Sequence, residues 1–129
     1  MLLAGAIDAV VVGMSERLGV ALLQQQGCRA LRNLSVNDDI EVRVALAGGI
    51  EAVVAGMREH VGVAGGQQQG CGVLGNLSVN DENEVKVALA GGIEAVVAGM
   101  SEHVEVAEVQ EEGCRALVGA NAQPVVDSL

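Results

Sequence analysis

The sequence predicts an all-α fold, a solenoid of stacked helical units, and two observations carry that prediction. The stretch Asn33 to Ala64 recurs from Asn76 to Ala107 with 27 of 32 positions identical and a spacing of 43 residues, and Leu3 to Ala21 aligns with Leu46 to Ala64 at the same spacing. Within each copy the apolar residues fall at helical intervals, as Ile50, Val53, Val54 and Met57 do. Periods of roughly 40 to 47 residues belong mostly to helical solenoids, in which one unit cannot bury its own apolar face and is stable only against its neighbours. The function of such an array lies first in a surface rather than in a pocket.

The repeats fill the chain, so one solenoid is expected over residues 1–129. Residues 1–35 form a partial first repeat, 36–78 and 79–121 are complete repeats, and 122–129 form a tail. In the central copy, Asp38 followed by Glu41 has the spacing of a capping box. A short first helix should run from there to about Ala47, with Ile40, Val42, Val44 and Leu46 crowding one side. Gly48-Gly49 then supplies the left-handed freedom to stop and turn. A second helix built on Ile50, Val53, Val54 and Met57 should end near His60. After a glycine-rich elbow, Gln67 to Leu77 makes a third helix with Gly70, Cys71, Leu74 and Leu77 on one face. Its counterparts run from Gln24 to Leu34 and from Gln110 to Ala120, and Gly27, Gly70 and Gly113 mark an equivalent place of close helix approach.

Half the residues are apolar, but Phe, Tyr and Trp are absent, so the core must be built from Val, Ala, Leu, Ile and Met. Eighteen glycines weaken it further, each costing about 1 kcal/mol relative to Ala inside a helix. A formal charge of −10 repels nucleic-acid phosphates and anionic membrane surfaces, so neither is an expected partner. Cys28, Cys71 and Cys114 recur at the repeat spacing, which assigns them equivalent core positions. Neighbouring copies would stand a helix packing distance apart, roughly 8 to 10 Å, too far for a disulfide. Reduced thiols place the chain in an intracellular compartment, the cytoplasm first and the nucleus second. The opening MLLAGAIDAVVVGM lacks a basic leader and matches internal copies, so it reads as repeat rather than as signal peptide. No apolar stretch is long enough to span a membrane.

A polar cap, an Ala- and Val-rich short helix, a GGI turn, a second helix and a third ending in a form of ALxNL make NDDIEVRVALAGGIEAVVAGM…QQQGCGVLGNL similar to the armadillo repeat family, whose consensus carries GAIPALVxLL and EEAAWALSNL segments. The resemblance covers essentially the whole chain. It implies an armadillo-type right-handed α-α superhelix of three-helix repeats that binds an extended partner along a groove of third helices. An Asn near the end of that helix often holds the partner's backbone in this family. Asn33 and Asn76 match that position, whereas the third copy has Gly119. Where import receptors of the family carry Trp, this chain has Arg29, Gly72 and Arg115, which disfavours a basic localisation peptide.

Arg29 and Asn33 are four residues apart and should share one side of the third helix. Gln25 and Gln68 continue that stripe, and Arg32 flanks it. The expected partner-binding groove is therefore Gln25, Arg29, Arg32, Asn33, Gln68, Asn76 and Arg115. Three of seven basic residues on third helices of an acidic chain favour a protein or peptide partner with carboxylates, which Arg engages through two parallel hydrogen bonds.

Other features reduce to the repeat. His60 and His103, with Arg17 in the first copy, end second helices and suit the helix dipole rather than a metal. The cysteines form no C-x-x-C pair, which gives zinc little support. The NLS tripeptides at Asn33 and Asn76 fall at helix ends, and the NDDIE and NDENE loops lack a calcium-loop pattern. The polar residues mostly recur in every copy, whereas a catalytic constellation is made once, so no enzyme and no cofactor is expected. The alternative is a scaffold in which solenoid ends stack on other copies, giving a homo-oligomer.

Overall fold

The structure is a computed structural model that describes residues 2–120 as eight α-helices, with no strand among them. The first copy supplies α1 (Leu2–Glu16) and α2 (Ala21–Leu34). The second supplies α3 (Asp38–Leu46), α4 (Gly49–Glu59) and α5 (Ala64–Leu77), and the third α6 (Asp81–Leu89), α7 (Gly92–Glu102) and α8 (Ala107–Ala120). Equivalent helices of successive copies pack side by side: α2 on α5 on α8, α1 on α4 on α7, and α3 on α6. The expected tail, 122–129, lies outside the described residues.

Three features of the short helices follow from local chemistry. The cap of α3 is Asn37 rather than Asp38: its side chain accepts a hydrogen bond from the Ile40 amide at 3.0 Å, so the helix is capped one residue earlier and the expected Asp38–Glu41 box is not made. Asn80 does the same for α6, accepting from the amides of Glu82 and Asn83. Nor do Ile40, Val42, Val44 and Leu46 share a buried side. Alternate residues cannot line one face at 3.6 residues per turn, so Val44 is buried while Leu46 is exposed. The turn that follows is as expected. Gly48 and Gly91 adopt φ of 89° and 84°, a region L side chains avoid. A Cβ on the next residue, Gly49, would stand 2.8 Å from the carbonyl oxygen of Val44, which sets how sharply α4 leaves α3.

The second helices bury the stripe Ile50, Val53, Val54 and Met57 as expected. Met14, Met57 and Met100 fill the space that the missing side chains of Gly27, Gly70 and Gly113 leave, since a Cβ there would stand 2.5 to 2.6 Å from the Met Cγ and Sδ. The third helix begins earlier than expected, at Ala64 rather than Gln67. Its first turn takes in Gly65 and Gly66, and the Gln67 amide already donates to the Val63 carbonyl at 3.1 Å. The glycine-rich segment is thus helix, and bare Gly65 lets the Gln25 side chain of α2 lie against it.

Buried carboxylate chemistry marks α3. Glu41 is buried, one of its oxygens has no partner among the described residues, and burial followed by the nearby Asp38 charge raises its pKa. A carboxyl group whose pKa is raised on folding binds protons more tightly in the native state, so its ionised form costs stability above the folded-state pKa and the cost is relieved as pH falls through it. Glu41→Gln should therefore raise the melting temperature at neutral pH. The difference from the parent should shrink as pH falls through the carboxylate range, in parallel thermal melts followed by circular dichroism.

Candidate protein-binding face

The third helices α2, α5 and α8 stand in a row with α5 in the centre, and all the groove residues singled out from the sequence lie on them. Arg29 and Asn33 are both exposed on α2, and Gln25 is half-buried beside them against Gly65. Gln68 is half-buried on α5. Of these four, Gln25 lies against α5, while Arg29 and Asn33 stand exposed one turn apart on α2.

The remaining three are engaged within the molecule. Arg32 of α2 reaches across α5, where Gly72 leaves room for its guanidinium, and forms an ion pair with Glu112 of α8. It also donates to Gln69 Oε1 at 3.5 Å. Arg115 pairs with the same Glu112 at 3.2 Å, and donates to Asn76 Oδ1 at 3.0 Å and to the Gly72 carbonyl at 3.1 Å. Asn76 in turn donates its amide to the Arg32 carbonyl at 3.3 Å. Both functional groups of Asn76 are therefore bonded to neighbouring third helices, while the side chain of Asn33 is exposed. Two guanidiniums and one carboxylate form a clasp over the glycine-paved middle of α5.

Glu112 is the residue that reading by repeats missed. Its signal was in the sequence: Gln67-Gln68-Gln69 of the second copy is replaced in the third by Gln110-Glu111-Glu112. The row is consequently polarised, with Arg29 and Arg32 on α2, amides on α5, and Glu108, Glu111 and Glu112 accompanying Arg115 on α8. The expected basic groove is basic at its α2 end alone.

A second recurring residue has a role in joining helices. The first Gln of each triplet, Gln24, Gln67 or Gln110, donates its amide to two carbonyls at the end of the preceding helix. Gln67 Nε2 reaches Met57 O at 3.1 Å and His60 O at 3.0 Å, and Gln24 and Gln110 repeat the pair with Met14 and Arg17, and with Met100 and His103. These are carbonyls that a helix end leaves without intrahelical partners. The imidazoles join one copy to the one before it: His60 Nε2 lies 2.7 Å from Leu18 O and His103 Nε2 lies 2.7 Å from Val61 O. A carbonyl can only accept, so Nε2 carries the proton in both rings.

Of the cysteines, Cys28 and Cys71 are buried and free, whereas Cys114 is exposed because no further third helix packs on α8 among the described residues. The equivalent-core expectation thus holds for two of three. Burial, with the neighbouring Cys71 as a smaller cause, pushes the Cys28 thiol up to about 12; burial, with Glu112 as the smaller cause, does the same to Cys71. Both stay protonated and poorly nucleophilic at neutral pH. A thiol reagent should modify Cys114 rapidly in the native chain and the other two only on unfolding, which peptide mapping by mass spectrometry reads directly.

Among the described residues no group of three His, Cys, Asp or Glu converges in a way that could hold a metal ion, and no helix is long and apolar enough to cross a membrane. Compared with known proteins, the chain matches no family model, no curated protein and no solved structure.

Proposed function

We propose that this chain is a non-catalytic protein-interaction module of armadillo type, binding an extended partner segment across the row of third helices. The observation that supports it is the exposed Arg29 and Asn33 pair on α2, one helical turn apart, on a row where Arg32, Asn76, Glu112 and Arg115 are already ordered by mutual bonds. Ordered amides and guanidiniums lose little freedom when a ligand arrives, which favours recognition. The three-helix unit, the Gly48 and Gly91 turns and the side-by-side packing of equivalent helices support the armadillo reading.

Charge along the row gives the partner a direction. A carboxylate of the partner sits over α2 against Arg29, uncharged residues pass over α5, and the exposed Glu111 favours a neutral or basic residue over α8. Arg29 offers two parallel donors to a carboxylate, and Asn33 offers both a donor and an acceptor to a passing backbone.

Binding of fluorescently labelled extended peptides, acidic, neutral and basic at one end, tests this through anisotropy. Acidic peptides should bind more tightly than neutral ones, with affinity falling as salt rises. Arg29→Ala together with Asn33→Ala should weaken the acidic peptide at least tenfold, equivalent to about 1.4 kcal/mol, without loss of helicity. Equal binding of all peptides, or an unchanged affinity in the double variant, would remove the proposal.

A further inference from the structure

The molecule makes one kind of interface twice, and it exposes both halves of a third. Where copy one meets copy two, a Cβ on Gly56 would stand 2.7 Å from Gln24 Oε1; where copy two meets copy three, a Cβ on Gly99 would stand 2.5 Å from Gln67 Oε1. At the same two junctions His60 and His103 meet the carbonyls of Leu18 and Val61. Advancing by one repeat pairs Gln110 with Gly13, and the Val104 carbonyl with Arg17, which holds the histidine position in the first copy.

All four are open. Gly13 has no atom within 4 Å of the place a Cβ would take, and Arg17 and Val104 are exposed. Gln110 is half-buried where Gln24 and Gln67 are buried. The apolar surroundings follow the same rule. Val97 is 47% exposed, while its equivalent Val54, covered by copy three, is 3% exposed. A cleft of about 320 Å³ lined by Val10, Gly13, Leu23 and Ala30 opens on the α1–α2 side, and one of about 390 Å³ lined by Val97, Met100, Val104 and Leu117 opens on the α7–α8 side.

We propose that a second copy of this chain docks its α1–α2 face onto the α7–α8 face of the first, head to tail, continuing the repeat stack between molecules. The occupant is identified by continuity with the two internal junctions, whose donor and acceptor positions it reproduces. Such a contact joins different faces of the two partners, so it propagates as open chains rather than closing as a symmetric dimer. Among the described residues the first copy contributes α1 and α2, so the contact joins these two helices to α7 and α8. A formal charge of −10 on each copy opposes it, and added salt screens that repulsion.

The test is sedimentation velocity of the full chain over a range of concentration and salt, under reducing conditions, with the rate of Cys114 alkylation as a second readout. The sedimentation coefficient should rise with concentration and with salt. Alkylation of Cys114 should slow in step, since the equivalent Cys71 is covered by the next third helix. Gly13→Leu, placed where the single chain has open space, should keep the helical circular dichroism, hold the chain monomeric and restore fast alkylation. A monomer at every concentration overturns the proposal, as do oligomers indifferent to Gly13→Leu. A monomer stabilised only by fusing a further repeat assigns these faces to a covalently linked neighbour and also overturns it.

Discussion

Leu74→Ala is expected to destabilise the chain by about 2–5 kcal/mol, the cost of deleting buried methyl groups and leaving a cavity in a packed interior. Leu74 is 1% exposed in the middle of the central third helix, among Cys71, Val73 and Leu77, all fully buried. The core around it is built of aliphatic side chains and Met without aromatic residues. The equivalent Leu117 on α8 is only half-buried, so Leu117→Ala should cost distinctly less. Chemical denaturation monitored by circular dichroism measures both. Equal losses at the two positions would mean that stability is not set by stacking between copies.

Gln67→Met should cost about 1–3 kcal/mol, because it strands the buried Met57 carbonyl, whereas the His60 carbonyl keeps the Val63 amide at 3.0 Å. Met keeps nearly the same length and volume, so the loss reads the two bonds to Met57 O and His60 O, less the relief of removing the buried Gln67 Oε1, which has no partner among the described residues. Gln110→Met makes the same chemical change at a half-buried position, where water replaces the lost donor, and should cost less than half as much. Amide hydrogen exchange would localise the effect: exchange near the end of α4 and the start of α5 should accelerate in Gln67→Met before the rest of the chain does. Uniform acceleration would show that the glutamine serves global packing rather than the joint between these helices.

Most of the helical organisation was legible because it repeats. A 43-residue spacing, the Gly48 and Gly91 turns and the Ile50, Val53, Val54, Met57 stripe each express a constraint satisfied once per copy. The misses are places where several residues compete for one role. Asn37, Asp38 and Asp39 can all accept from a helix amide, and the backbone of the preceding turn leaves Asn37 extended, at φ −155° and ψ 169°, as a cap requires. Val42, Val44 and Leu46 alternate in a way that suits a strand, yet the flanking cap and glycine turn fix a helix that buries only Val44 of the three. The glycines at the start of α5 read as a hinge because their propensity is poor, and tertiary packing against Gln25 overrides it.

The candidate site was legible in part, and for a related reason. Arg29, Asn33, Gln25 and Gln68 depend only on helical spacing within one copy. The clasp of Arg32 and Arg115 on Glu112 spans three helices, and no periodicity within a copy reveals a bond between copies. Differences between copies held the information instead. Gly72 stands where the other copies have Arg29 and Arg115, which makes room for Arg32, and Glu112 stands where they have Gln26 and Gln69. Gln24, Gln67 and Gln110 are the opposite case, unchanged while their neighbours vary, and that constancy among three copies marks the joint they form.

The most direct test of the row of third helices as a binding face is backbone amide NMR of the isotopically labelled chain during titration with an acidic extended peptide. The amide shifts that move should cluster on Gln25, Arg29 and Asn33 of α2, extend to Gln68 of α5, and leave α1, α4 and α7 unaffected. Shifts confined to the second helices, or no saturable shift with a peptide of any charge, would contradict a partner-binding role for this face.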